Sequence, residues 1–165
     1  MRWARVVAGC LAAACVGAVS PAAADDLVRY RGPVEHIFFH PLMPEPRYTL
    51  HRGTQPAEFN KWMTTAKEFR GIVRQLYAND WVLVDLESLF RVRKDGSLRR
   101  APLRLPKGKK PLVISIDDLN YPQYMIDNHL NSELVLDDAG EIAARRIRPD
   151  GTKVVSRASE IVPVL

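Results

Sequence analysis

The chain has 165 residues, a net charge of +5 and only two cysteines, Cys10 and Cys15. Both cysteines precede residue 16, so the rest of the chain cannot contain an internal disulfide. The charge is too mild to argue for a nucleic-acid partner, and there are no repeats or low-complexity tracts.

The first 24 residues read as a secretory signal peptide. Arg2 and Arg5 form a positive start, a 14-residue apolar stretch follows, and Ala22 and Ala24 stand in an A-x-A arrangement before the expected cut. The apolar stretch is shorter than the roughly 20 residues a bilayer span needs. An uncleaved membrane anchor is the other reading of the segment, and lipidation is the other reading of its cysteines. Cleavage leaves residues 25–165, enough for one domain, and lowers the net charge to +3 because Arg2 and Arg5 are lost. The mature protein is expected outside the cell or on its wall, with no stable membrane insertion.

In chain order, "VEHIFFHP" (34–41) is β-rich, ends at a proline and reads as a strand. The proline-rich stretch 42–55 reads as a loop. From Pro56 to about Ala78 the apolar residues Phe59, Trp62, Met63, Ala66, Phe69, Val73, Leu76 and Tyr77 keep helical spacing. One amphipathic helix is expected, with Thr54 as N-cap, Pro56 in the first turn and the aromatic stripe in the core. "WVLV" (81–84) reads as a strand and "DLESLF" (85–90) as a short helix or turn. "RVRKDGSLRRAPL" (91–103) carries Asp95-Gly96 between alternating residues and reads as a hairpin. The cations of 91–110 are a solvated hairpin, or a surface for an anionic wall polymer or membrane. "PLVISI" (111–116) reads as a strand buried on both faces. A short helix is expected in 120–130. Turns at Gly140 and at Asp150-Gly151 make 134–156 a β excursion. A last apolar run, read as the start of a strand, begins at Ser159. The order is α/β.

The buried strand ends on Asp117 and Asp118. At the carboxyl end of a strand both can converge on the crevice where α/β folds bind ligands. One can then hold a metal while the other takes a proton from a metal-bound water. Alternatively, one caps the following turn and the other is solvated.

"KKPLVISIDDLNY" (109–121) resembles the motif of polysaccharide deacetylases of the NodB-homology type, a Pro-led strand ending in Thr-Phe-Asp-Asp-Gly. "EHIFFHPL" (35–42) resembles that family's first strand. The stretch 57–89 resembles its first helix and second strand, so the likeness covers about residues 33–125. It implies a partial (β/α) barrel-like fold with hairpin insertions, of which this chain holds the N-terminal part. It makes Asp117 the catalytic base and Asp118 a ligand to a divalent metal, usually zinc. The substrate implied is an acetylated polysaccharide or peptidoglycan-type glycan.

Ile116 and Leu119 stand where the family has Phe and Gly. The family's two downstream histidine ligands are missing, since only His129 follows Asp118. A hydrolytic zinc generally takes three protein ligands, so this chain alone is expected to lack deacetylase activity. A complete, non-catalytic wall- or glycan-associated domain is the alternative, as is a metal hydrolase with other ligands. His40 is a candidate for the crevice and His36 an ordinary half-buried strand residue. His51 and His129 are expected at the surface.

Overall fold

The computed structural model describes residues 27–51 and 54–165. The expected signal peptide and its cysteines lie outside the described residues, as does the side chain of the expected cap Thr54.

The centre is a three-stranded parallel sheet in the order β2 (Glu35–Phe39), β7 (Lys110–Ile116), β3 (Trp81–Leu83). The motif-bearing strand β7 is the middle one. Pro111, Leu112 and Val113 are buried, while its last three residues are half-buried. Its apolar run reflects burial between two neighbouring strands and beneath a helix. Three antiparallel units surround this sheet. They are β1 (Leu27–Tyr30) with β6 (Leu103–Pro106), the hairpin β4 (Phe90–Val92) with β5 (Leu98–Arg100), and the meander β8 (Glu133–Leu136), β9 (Ile142–Ile147), β10 (Lys153–Ser156). No closed barrel forms among the described residues. The hairpin turns where Asp95-Gly96 demands it, with Gly96 at φ 80°. The second meander turn uses Gly151 at φ 82°.

The expected long helix is two helices, α2 (Thr54–Trp62) and α3 (Ala66–Ala78). The break has a chemical cause. Thr65 caps α3 by accepting from the Glu68 N–H at 3.1 Å, and the Glu68 carboxylate accepts from the Thr65 N–H at 2.9 Å. This reciprocal capping box starts a new helix. It also frees the Thr64 carbonyl to accept from the Met43 N–H at 3.0 Å, while the Met43 carbonyl accepts from Ala66 N–H at 3.0 Å. The loop after β2 is thereby pinned in the gap. That loop is itself partly helical, as α1 (Pro46–Thr49).

α3 covers one face of the sheet. Phe69 is fully buried and meets Phe39 edge-on, with ring centroids 4.9 Å apart. Leu42, Ala66 and Ile161 complete that core, with Ile116 packed against it. A second core joins Met43, Phe59, Met125 and Leu130. The aromatic stripe is only partly core, because Trp62 and Tyr77 are exposed. "DLESLF" contains a 3-10 turn at Glu87–Leu89, and 120–130 contains α4 (Gln123–Asp127). The last apolar run is a one-turn helix, α5 (Ile161–Val164), not a strand. Pro163 removes a ladder donor, and the Glu160 side chain accepts from the Ile161 N–H as a cap.

Candidate functional site

Asp117 directly follows β7. Its N–H donates to the Phe39 carbonyl at 2.8 Å, so the β2–β7 ladder continues to the very edge of the sheet. This brings the residue after β2, His40, beside the aspartate pair. Asp118 then enters the left-handed region at φ 57°. Aspartate tolerates that conformation better than most residues. The sharp turn that a glycine at 119 would have eased is therefore made one position earlier, at Asp118. Tyr121 is also left-handed, at φ 48°, an outlier for a bulky residue.

Asp118 lines a cleft of about 300 Å³ with His40, Glu58, Phe59, Trp62 and Tyr124. Asp117 is exposed at the same edge but is not part of that wall. The turn-capping reading of the pair fails on hydrogen bonding. Asp85, Asp95, Asp137 and Asp150 each accept from a backbone N–H two residues on, at 2.9–3.1 Å. Among the described residues neither Asp117 nor Asp118 accepts any hydrogen bond or joins an ion pair. Asp118 does act on Tyr124. Burial raises the Tyr124 phenol above its ordinary range, and the Asp118 charge adds to the effect.

The cleft has an aromatic rim. Trp62 is 59 % exposed and Tyr124 is 43 % exposed. The Tyr124 ring stacks on buried Phe59, with centroids 6.2 Å apart and planes 8° from parallel. Glu58 accepts from the Trp62 indole N–H at 3.0 Å, which steadies that ring. The sequence shows Trp62 only as a member of a helical stripe, and Tyr124 reaches the rim from α4.

The remaining histidines scatter. His36 is exposed rather than half-buried, and its Nε2 lies 2.9 Å from Ser115 Oγ. His51 is exposed in its loop. His129 is half-buried, not at the surface, and meets the Tyr48 ring edge-on at 6.3 Å. Among the described residues no group of three or more His, Cys, Asp or Glu is gathered to hold a metal ion. Asp118 and His40 are two donors on one cleft wall, one fewer than a hydrolytic zinc takes from protein. Glu58, also on that wall, is engaged by Trp62.

Behind the cleft sits a buried carboxyl group that the sequence reading passes over. Glu160 is fully buried. Its Oε1 accepts from the Leu42 N–H at 3.1 Å and the Ile161 N–H at 2.9 Å. Its Oε2 accepts from Asn131 Nδ2 at 3.0 Å and the Tyr121 hydroxyl at 3.5 Å. Burial raises the Glu160 pKa, and these hydrogen bonds only partly oppose it. The Tyr121 phenol is raised as well, first by burial and then by the Glu160 charge. One side chain thus ties the loop carrying His40 to the loop carrying Asp118.

Comparison with models of known families, with curated proteins and with solved structures returned no match to this chain.

Proposed function

We propose that this chain is a secreted, polysaccharide-deacetylase-like protein whose cleft at the carboxyl edge of the sheet takes an acetylated polysaccharide or peptidoglycan-type glycan. Asp118, with His40 beside it, is offered to a divalent metal, zinc by the resemblance. Asp117 is the base. The observation that supports this best is the unpartnered state of the pair, at the end of the central parallel strand, in a chain whose turn aspartates are otherwise engaged. Two carboxylates without hydrogen-bond partners at such an edge suit ligand binding better than turn formation. A bound divalent ion would polarise the acetyl carbonyl and acidify a water. The chain's own part is to hold Asp118 and His40 on one wall and to leave Asp117 accessible. With two donors instead of three, binding should be weak and acetate release absent. Titrating zinc into the full chain tests this. One weak site, lost in both Asp118→Ala and His40→Ala, is the expected result. Tight zinc that survives Asp118→Ala would sink the assignment.

A second reading, a non-catalytic glycan-associated domain, draws on the aromatic rim. Trp62 and Tyr124 offer ring faces beside carboxylates, a pairing that suits the apolar faces and hydroxyls of a sugar. Titrating N-acetylated chito-oligosaccharides into chelator-treated protein separates the two. Metal-free binding that disappears in Trp62→Ala favours the second reading. Binding that appears only with the metal favours the first.

A further inference from the structure

Cations gather at the other end of β2. A cleft of about 400 Å³ is walled by Arg29, Tyr30, Arg31, Arg99, Arg100 and Pro102. No acidic residue lines it. Some arginines elsewhere are matched: Arg145 meets Glu133, Arg146 and Arg148 meet Glu45, and Arg157 meets Asp137. Among the described residues Arg29, Arg31, Arg99 and Arg100 have no such carboxylate. Arg100 is held in place by donating to the Gly32 carbonyl at 2.6 Å. Strand register concentrates the charge further. Arg29 lies directly opposite Arg104, and Arg91 directly opposite Arg99. Like charges facing each other across an antiparallel pair are destabilising. An anion accepted nearby relieves that repulsion. The sequence displays the basic run of the hairpin, but not that Arg29 and Arg31 close the cleft from the far side.

We propose that this cleft binds an anionic polysaccharide, one carrying carboxylate or phosphodiester groups along its length. Guanidinium forks match both groups in bidentate geometry. The site is concave, with buried Ala101 in its wall, so a flat bilayer would meet the rim and not the interior. Single-stranded nucleic acid relies on aromatic stacking platforms. Tyr30 is the cleft's one aromatic, and it is folded back: its hydroxyl donates to the Pro33 carbonyl at 2.9 Å. Its ring also presses on Gly32, where an added Cβ would collide with the hydroxyl oxygen. The arginines of β1 precede β2, whereas His40 follows it, a separation of roughly 16 Å along the five-residue strand. The inference does not depend on the aspartate cleft being catalytic.

The test measures binding of the full chain to immobilised polygalacturonate, to poly(glycerol phosphate) and to neutral dextran. The two anionic polymers show which group is preferred, and dextran should not bind. Affinity should fall by about 100-fold as salt rises fourfold, as expected for roughly four released counterions. Arg29→Ala combined with Arg99→Ala should weaken binding by at least about tenfold, since each removes one such contact. Arg31→Ala, outside the strands, should weaken it without touching the sheet. Asp118→Ala should bind as the parent does, which keeps this result separate from the aspartate cleft. Equal binding by the arginine variants, equal capture by dextran, or tighter capture by phosphatidylglycerol vesicles or oligo(dT) would overturn the proposal.

Discussion

Glu160 has four hydrogen-bond donors around it and, among the described residues, no cation. Its removal should be costly because Leu42 N–H and Ile161 N–H would be left buried and unpaired. Glu160→Ala is expected to lose about 3 kcal/mol of stability in urea unfolding. The sign of its pH dependence follows from the upward shift. Between 4.5 and the raised folded value, the folded protein holds a proton that the unfolded chain has released. Stability through this group therefore falls as pH rises across that window. The gap between parent and variant should widen as pH is lowered from about 8 to about 5. A gap that narrows instead would mean that Glu160 is ionised at little cost. At the same scale, Asp117 and Asp118 were legible as a pair ending a strand, since an apolar run stopping on two charges is a local signal. Their isolation was not. Whether a carboxylate caps a turn depends on where the next N–H groups point, and a left-handed Asp118 turns them away. His40 was legible as a candidate for the crevice from its place at the end of a strand, and parallel pairing of β2 with β7 sets it on one wall with Asp118.

Among the elements, β2, β3, β7 and the hairpin turns were legible, while β1 and its pairing with β6 were not, and the β-hairpin at Asp95-Gly96 and the meander turns follow their glycines. The helix was misjudged because apolar spacing carries on through Met63–Thr65 without a gap. The stop signal was present in the sequence as Thr65-x-x-Glu68 and was masked by that continuity. A capping box inside a periodic run competes with helix propagation. Here it won because Met43 pairs with the freed backbone. Thr65→Ala should lower stability by about 1 kcal/mol, the usual worth of an N-cap. It should also perturb the Trp62 emission, since α2 and α3 would no longer be held apart at the break. An unchanged denaturation midpoint would show that Met43 alone maintains the break. The last apolar run was misjudged for a simpler reason. Pro163 argues against a strand, and its weight was overridden by the valines around it.

For the molecule as a whole, the mixture of helices and strands was legible, while strand order and the attachment of the meander were not. The meander is fastened by Glu45, whose Oε2 accepts from Arg146 Nη2 at 2.9 Å and Arg148 Nε at 2.8 Å. The Arg148 bond is the main cause that holds the Glu45 carboxyl down at about 2, with Arg146 adding to it against the opposing effect of burial. A depressed acid stabilises the fold above its unfolded value, and that contribution is lost as pH falls toward 2. Glu45→Gln should cost about 3 kcal/mol at neutral pH, because it strands a buried Arg146 without its counter-charge. The difference from the parent should shrink as pH falls from 4.5 toward about 2. A constant difference across that range would assign the loss to packing rather than charge.

The bond from Leu42 to Glu160 spans 118 positions of sequence. A ribosome adds residues one at a time, and domains assemble as their parts emerge. A nascent chain that has already displayed β2, α3 and β7 still lacks the carboxylate that fastens the loops beyond them. The β2–β7 ladder can join the His40 and Asp117 ends by then, but the Leu42 and Tyr121 loops gain their shared tie only when synthesis has passed residue 160.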